Sequence, residues 1–214
     1  MSGSLRLESV RIAIGARTLI APLDLDVAPG ECVTLMGPSG CGKSTLLAYI
    51  SGALDPAFRA TGRILIGSVD ITALPPEARQ VGILFQDDLL FPHMSVAGNL
   101  AFALPAVVRD RAVRRARIEQ ALAEADLAGF GERDPATLSG GQRARVALMR
   151  TLLAGPKALL LDEPFNKLDI ALRGEFRRFV FEHVARRELP MLLVTHDEAD
   201  ALEGGRVIRL TELC

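Results

Sequence analysis

The stretch Gly37-Pro38-Ser39-Gly40-Cys41-Gly42-Lys43-Ser44-Thr45 constrains this chain more than any other. It fits the pattern Gly-x-x-x-x-Gly-Lys-Ser/Thr, directly after an apolar run at 32–36 and directly before residues of helical spacing at 44–51. Strand, glycine-rich turn and helix, in that order, form the context in which such a loop cradles phosphate. Glycines let successive backbone N–H groups converge on phosphate oxygens, the helix presents its positive end, and Lys43 adds a charge near the β- and γ-phosphates. Ser44 is placed to ligate Mg²⁺. An accidental match is expected about twice in a thousand chains of this composition, which sets aside a plain flexible turn.

Around that loop the chain has 214 residues, 49% of them apolar, 24% charged, with a net charge of −1. A chain of this size buries about 70% of its unfolded surface, so it folds without staples as one domain or two small ones. Apolar runs such as 103–108 and 191–194 are far short of the roughly 18 residues that span a bilayer. The first residues carry no basic patch followed by an apolar core, so a cytoplasmic protein is expected. Cys32, Cys41 and Cys214 are odd in number and lack C-x-x-C spacing, which speaks against a disulfide framework or a structural zinc site. Of the 25 basic residues only Lys43, Lys157 and Lys167 are lysine, and the balanced charge leaves no footprint for nucleic acid.

Strands are expected at 5–14, 23–27 and 32–36, a helix at 44–51, strand and turn around Gly62 and Gly67 between 52 and 70, and a strand at 81–85. Between 88 and 155 helical segments dominate, notably 112–127 and 142–153. Strands at 158–161, 191–194 and 206–210, with a helix at 170–187, complete an alternation that implies a parallel sheet. The apolar strand at 158–161 ends in Asp162-Glu163, at the sheet edge where the phosphate loop also lies. Asp162 would hold Mg²⁺ directly or through water, and Glu163 would polarise the attacking water. Alone, a strand ending in acids more often caps a helix or a turn.

Leu138-Ser139-Gly140-Gly141-Gln142 precedes a helical stretch and alone reads as an N-cap. Beside the other two motifs it resembles the signature sequence of ATP-binding cassette (ABC) proteins. Gln86 looks like the family's Q-loop glutamine, Asp169 in Asn166-Lys167-Leu168-Asp169 like its D-loop aspartate, and His196 in Val194-Thr195-His196-Asp197 like its switch histidine. The resemblance covers residues 5–210. It implies an α/β fold: a P-loop NTPase core with a mostly parallel sheet, an N-terminal antiparallel β subdomain and an inserted α-helical subdomain. The core is expected at 1–87 and 155–214 and the helical subdomain at 88–154.

The resemblance also implies an ATPase acting as a head-to-tail pair of copies. Residues 37–45 would hold the nucleotide, Ser44, Gln86 and Asp162 the metal, and Lys43, Gln86, Glu163 and His196 would serve the chemistry. Ser139, Gly140, Gly141, Gln142 and Asp169 would complete the nucleotide site, with Ser139 and Gly141 acting in trans. The segment from Gln86 through Phe91-Pro92-His93-Met94 to Asn99-Leu100 is similar to that of importer ATPases. Permease subunits and a substrate-binding protein are therefore the implied partners, at the cytoplasmic membrane face. An exporter subunit is the runner-up, followed by a non-transport ABC ATPase. A P-loop kinase would lack the 138–142 signature.

Three departures stand out. Ile14 occupies the place where the family stacks an aromatic ring on adenine, and Asn166-Lys167 replaces two small residues. The stretch after His196 is short, so the regulatory domain of many sugar-importer ATPases is not expected here. Cys41, inside the loop, is either a reactive thiol or one the loop shields.

Overall fold

A computed structural model describes residues 3–201 and 205–210. By internal contacts the chain groups into two compact units, one of 1–83, 157–163 and 181–214, the other of 84–156 and 164–180.

In the first unit β1 (Leu5–Ile14) and β2 (Arg17–Val27) form a hairpin, and β3 (Cys32–Met36) leads through the glycine loop into α1 (Lys43–Ser51). β4 (Phe58–Ile66) pairs antiparallel with β1 and with the short β5 (Val69–Asp70). This gives a four-stranded sheet of order β2-β1-β4-β5. The hairpin at Gly67 matches the expected turn. At Gly62 the strand runs on instead, because a bulge there absorbs the irregularity. Its φ is +95°, and a Cβ would lie 2.6 Å from the carbonyl oxygens of Glu8 and Ser9, so only glycine lets β4 pass.

The second sheet has the order β6-β7-β8-β3-β9, with β6 at Val81–Leu84, β7 at Ala158–Asp162, β8 at Met191–Thr195 and β9 at Arg206–Arg209. β7, β8, β3 and β9 pair parallel. β3 and β8 are buried along their whole length and β7 up to Leu161, which is why these strands read as unbroken apolar runs. Leu46, Leu47 and Ile50 of α1 are fully buried in the same core, and each stabilises it by about 1.5–3 kcal/mol. The far end of α1 is held by the buried Arg79, on α2 (Pro76–Arg79), a turn of helix the sequence pattern did not announce. Its guanidinium donates to the carbonyls of Tyr49 and Ile50 in the last turn of α1 and to those of Thr72 and Leu74, tying the helix end to the segment before α2.

In the second unit, α3 (Val96–Ala103) and α4 (Arg111–Glu124) start on Ser95 and Asp110, whose side chains accept first-turn amides. α5 (Gly140–Leu153) packs on both. α6 (Ile170–Arg186) contributes residues 170–180 to this unit. Phe165 and Phe176 stack edge-on within its core, 5.9 Å between centroids. Among the described residues no helix is long and apolar enough to cross a membrane.

Candidate functional site

In the first unit the sheet carries Lys43, Ser44, Asp162, Glu163 and His196 on the loops and strand ends that follow β3, β7 and β8. α1 begins at Gly42, whose φ of 92° is left-handed, and no side chain caps its first turn. A Cβ on Gly42 would press against Ile20 and Leu19 at 3.1 and 3.3 Å, so glycine is needed for conformation and for space alike. The uncapped amides at this helix start suit an anion. Lys43 is buried and curls back over its own loop, its Nζ donating to the carbonyls of Gly37 at 2.6 Å and Pro38 at 2.9 Å.

Ser44 Oγ donates to Asp162 Oδ1 at 3.0 Å. Asp162 is the last residue of β7, set by its pairing with Val194 of β8. Burial pushes its carboxyl pKa above the ordinary value; the Ser44 bond opposes that, the Glu163 charge adds to it, and the Lys43 charge opposes it. Hydroxyl and carboxylate make an all-oxygen donor pair, and the crowding of negative charge behind it is what a hard divalent cation relieves.

Glu163 sits at φ +48°, the left-handed region, which costs a non-glycine residue about 1 kcal/mol or more. Its N–H donates to the Val194 carbonyl at 2.9 Å, and its Oε1 lies 3.1 Å from His196 Nδ1. The strained backbone thus turns a carboxylate away from its strand and onto an imidazole. The tautomer that fits carries the proton on Nδ1.

Other residues singled out in the loop play narrower parts. Pro38, Ser39 and Gly40 are exposed, Gly37 and Thr45 half-buried. Cys41 is buried, with Sγ 2.9 Å from where a Cβ on Gly37 would stand, which favours the shielded thiol. Burial pushes the thiol of Cys32 up to about 12. Cys214 lies outside the described residues. Ile14 is 39% exposed at the end of β1, opposite Phe58. Tyr49, the only tyrosine, turns into the core and donates to the Gly62 carbonyl at 3.2 Å.

The second unit holds Gln86, Ser139, Gly140, Gly141, Gln142 and Asp169. Ser139 and Gln142 close a reciprocal capping box: Gln142 N–H donates to Ser139 Oγ at 3.2 Å, and Ser139 N–H to Gln142 Oε1 at 2.9 Å. The serine hydroxyl keeps its own hydrogen to donate. Asp169 caps α6, its Oδ1 accepting from Leu172 N–H at 3.0 Å. Gln86 is exposed and borders a cavity of about 660 Å³ that Arg143, Gly140 and Lys167 also line.

Two cations pin the segment after Gln86, which motif spacing did not reveal. Lys167 pairs with Asp87. Arg143 donates through Nε to Asp88 at 3.1 Å and through Nη1 to the Leu138 carbonyl at 2.7 Å. The adjacent acids at 87–88 and the lysine at 167 were the available signal.

Residues 20–166 match the family described as ABC transporter. The chain is 48% identical over 206 residues to the uncharacterized ABC transporter ATP-binding protein YnjD of Escherichia coli, covering 96% of this chain and 94% of that one. It is 44% identical over 211 residues to the Fe(3+) ions import ATP-binding protein FbpC of Agrobacterium fabrum, covering 98% of this chain but 59% of that one. Against the putative 2-aminoethylphosphonate import ATP-binding protein PhnT of Salmonella typhimurium it is 42% identical over 201 residues, covering 92% and 53% respectively.

Proposed function

The chain belongs to the ABC transporter family, whose ATP-binding proteins are transport-coupled ATPases, and from that premise we propose that the first unit binds Mg–ATP and hydrolyses it to drive import across a membrane. The observation that carries the reading is the constellation Ser44–Asp162, Glu163–His196 beside the uncapped start of α1.

The loop amides and Lys43 hold the triphosphate, and the Lys43 ammonium offsets charge that grows on the phosphoryl oxygens. Ser44 and Asp162, with Gln86 by its place in the family pattern, would hold Mg²⁺, which when bound neutralises phosphate charge. Glu163 accepts a proton from the attacking water as that oxygen closes on the γ-phosphorus and the bond to the β,γ-bridging oxygen breaks. ADP and phosphate leave. His196, oriented by Glu163 through Nδ1, presents its other nitrogen to the γ-phosphate. Ser139, Gly140, Gly141, Gln142 and Asp169 serve the nucleotide of a second copy in a head-to-tail dimer that closes on ATP.

Two relatives carry import in their names, which supports an importer over an exporter for this chain. Its partners are then permease subunits, with a substrate-binding protein in the complex, at the cytoplasmic face. Phosphate release from ATP by the purified chain tests the reading. Hydrolysis should require Mg²⁺, and Lys43→Ala should abolish it; activity unaffected by chelator, or surviving in that variant, would contradict it.

A further inference from the structure

His196 stands on the loop after β8, and a buried polar pair fixes the chain on both sides of it. Thr195, the last residue of β8, and Asp200 are both fully buried. Thr195 Oγ1 donates to Asp200 Oδ2 at 2.9 Å and accepts the Asp197 N–H at 3.0 Å. Thr195 is itself held in the sheet by its pairing with Met36 of β3. On the far side, Asp197 Oδ1 accepts the Ala199 N–H at 2.9 Å and starts the 3-10 turn Glu198–Asp200. His196 is therefore one residue between two anchored neighbours. Its side chain is half exposed and rests on Glu163.

Burying a carboxylate is costly unless hydrogen bonds compensate it, and the Thr195 hydroxyl supplies one at Asp200 Oδ2, so the pair favours the backbone geometry that keeps that bond. β8 supplies both anchors of the dyad: the Val194 carbonyl receives the Glu163 N–H, and the next residue's hydroxyl receives the Asp197 N–H. We propose that Thr195 and Asp200 are positioning residues for His196, aiming its imidazole at the terminal phosphate. This rests on the role given to His196 above.

The test is a kinetic cycle on the full chain with Mg–ATP. Thr195→Val removes the hydroxyl and should lower kcat at least about tenfold, in line with the cost of a small misplacement of a catalytic group, while KM stays within about twofold. Thr195→Ser, which restores the hydroxyl, should recover most of kcat. In a His196→Ala background Thr195→Val should add no further loss, because the group it positions is gone. Asp200→Leu removes the acceptor at similar volume and should behave as Thr195→Val does, so whichever of the two folds decides. Unchanged kcat in these variants, or an equal loss with and without His196, would overturn the proposal. Wild-type turnover by His196→Ala alone would instead overturn the role of His196.

Discussion

The two units hold their functional groups by different means. In the first, Asp162 ends a strand and Glu163 and His196 each directly follow one; the strand bodies are apolar and buried, and sheet pairing fixes where they end. In the second, guanidinium groups clasp backbone carbonyls: Arg114 those of Ala101 and Val108, Arg143 that of Leu138, Arg145 that of Ala125, Arg150 those of Asp88 and Leu89. The forked head of arginine can reach two acceptors at once, which a lysine does less well. Geometry set by a buried sheet is insensitive to salt, whereas charged clasps at partly exposed positions weaken as ions screen them. The first unit should therefore lose chemistry without losing its fold, and the second should lose stability before chemistry.

The sharpest way to break that contrast is Asp162→Asn. The folded carboxyl titrates above its unfolded value, so its contribution to stability is present below the unfolded pKa and is lost as pH rises through the folded one. At neutral pH its ionised form is a net cost. The asparagine variant should thus melt at a higher temperature without nucleotide while kcat falls by about 10²–10³-fold; calorimetry beside phosphate release checks both. A lower Tm would refute the electrostatic account of Asp162.

Arg143→Gln probes the other side. Its half-exposed bonds to Asp88 and Leu138 should be worth about 1 kcal/mol, a drop in Tm of a few degrees. That loss should shrink at high salt, in a denaturation series run at two ionic strengths. A smaller effect belongs to Ile14→Tyr. Adding a ring against the base should lower KM for ATP about fivefold with kcat little changed, since base contacts are alike in ground and transition states; equal KM for both proteins would show that another group holds the adenine. Smallest is Lys167→Met, whose pair with Asp87 is exposed on both sides. It should move stability by less than about 0.5 kcal/mol.

Much of the fold was legible because the strongest signals are local. The continuous apolar runs of β3, β7 and β8 announced a buried parallel sheet, and the ends of these runs lead into the residues of the proposed site. Gly62 misled because a glycine between strand-like residues signals a turn and a bulge equally, and the choice rests on the carbonyls of Glu8 and Ser9 across the sheet. Long-range pairs were beyond reach for the same reason. Nothing in the order of residues says that Lys167 meets Asp87, that Arg79 closes the end of α1, or that Asp200 lies buried beneath Thr195. Motifs pick out Glu163 and His196, while the positive φ of Glu163 that turns one toward the other exists only in three dimensions.

The claim that Glu163 acts on water, while the groups around it bind the nucleotide, is tested most directly by single-turnover hydrolysis of Mg–ATP with Glu163→Gln. Glutamine keeps the shape and a hydrogen-bond acceptor for His196 but cannot take a proton. The account predicts ATP affinity within about twofold of the parent protein and a hydrolysis rate lower by about 10²–10⁴-fold. Hydrolysis at the parent rate would contradict it.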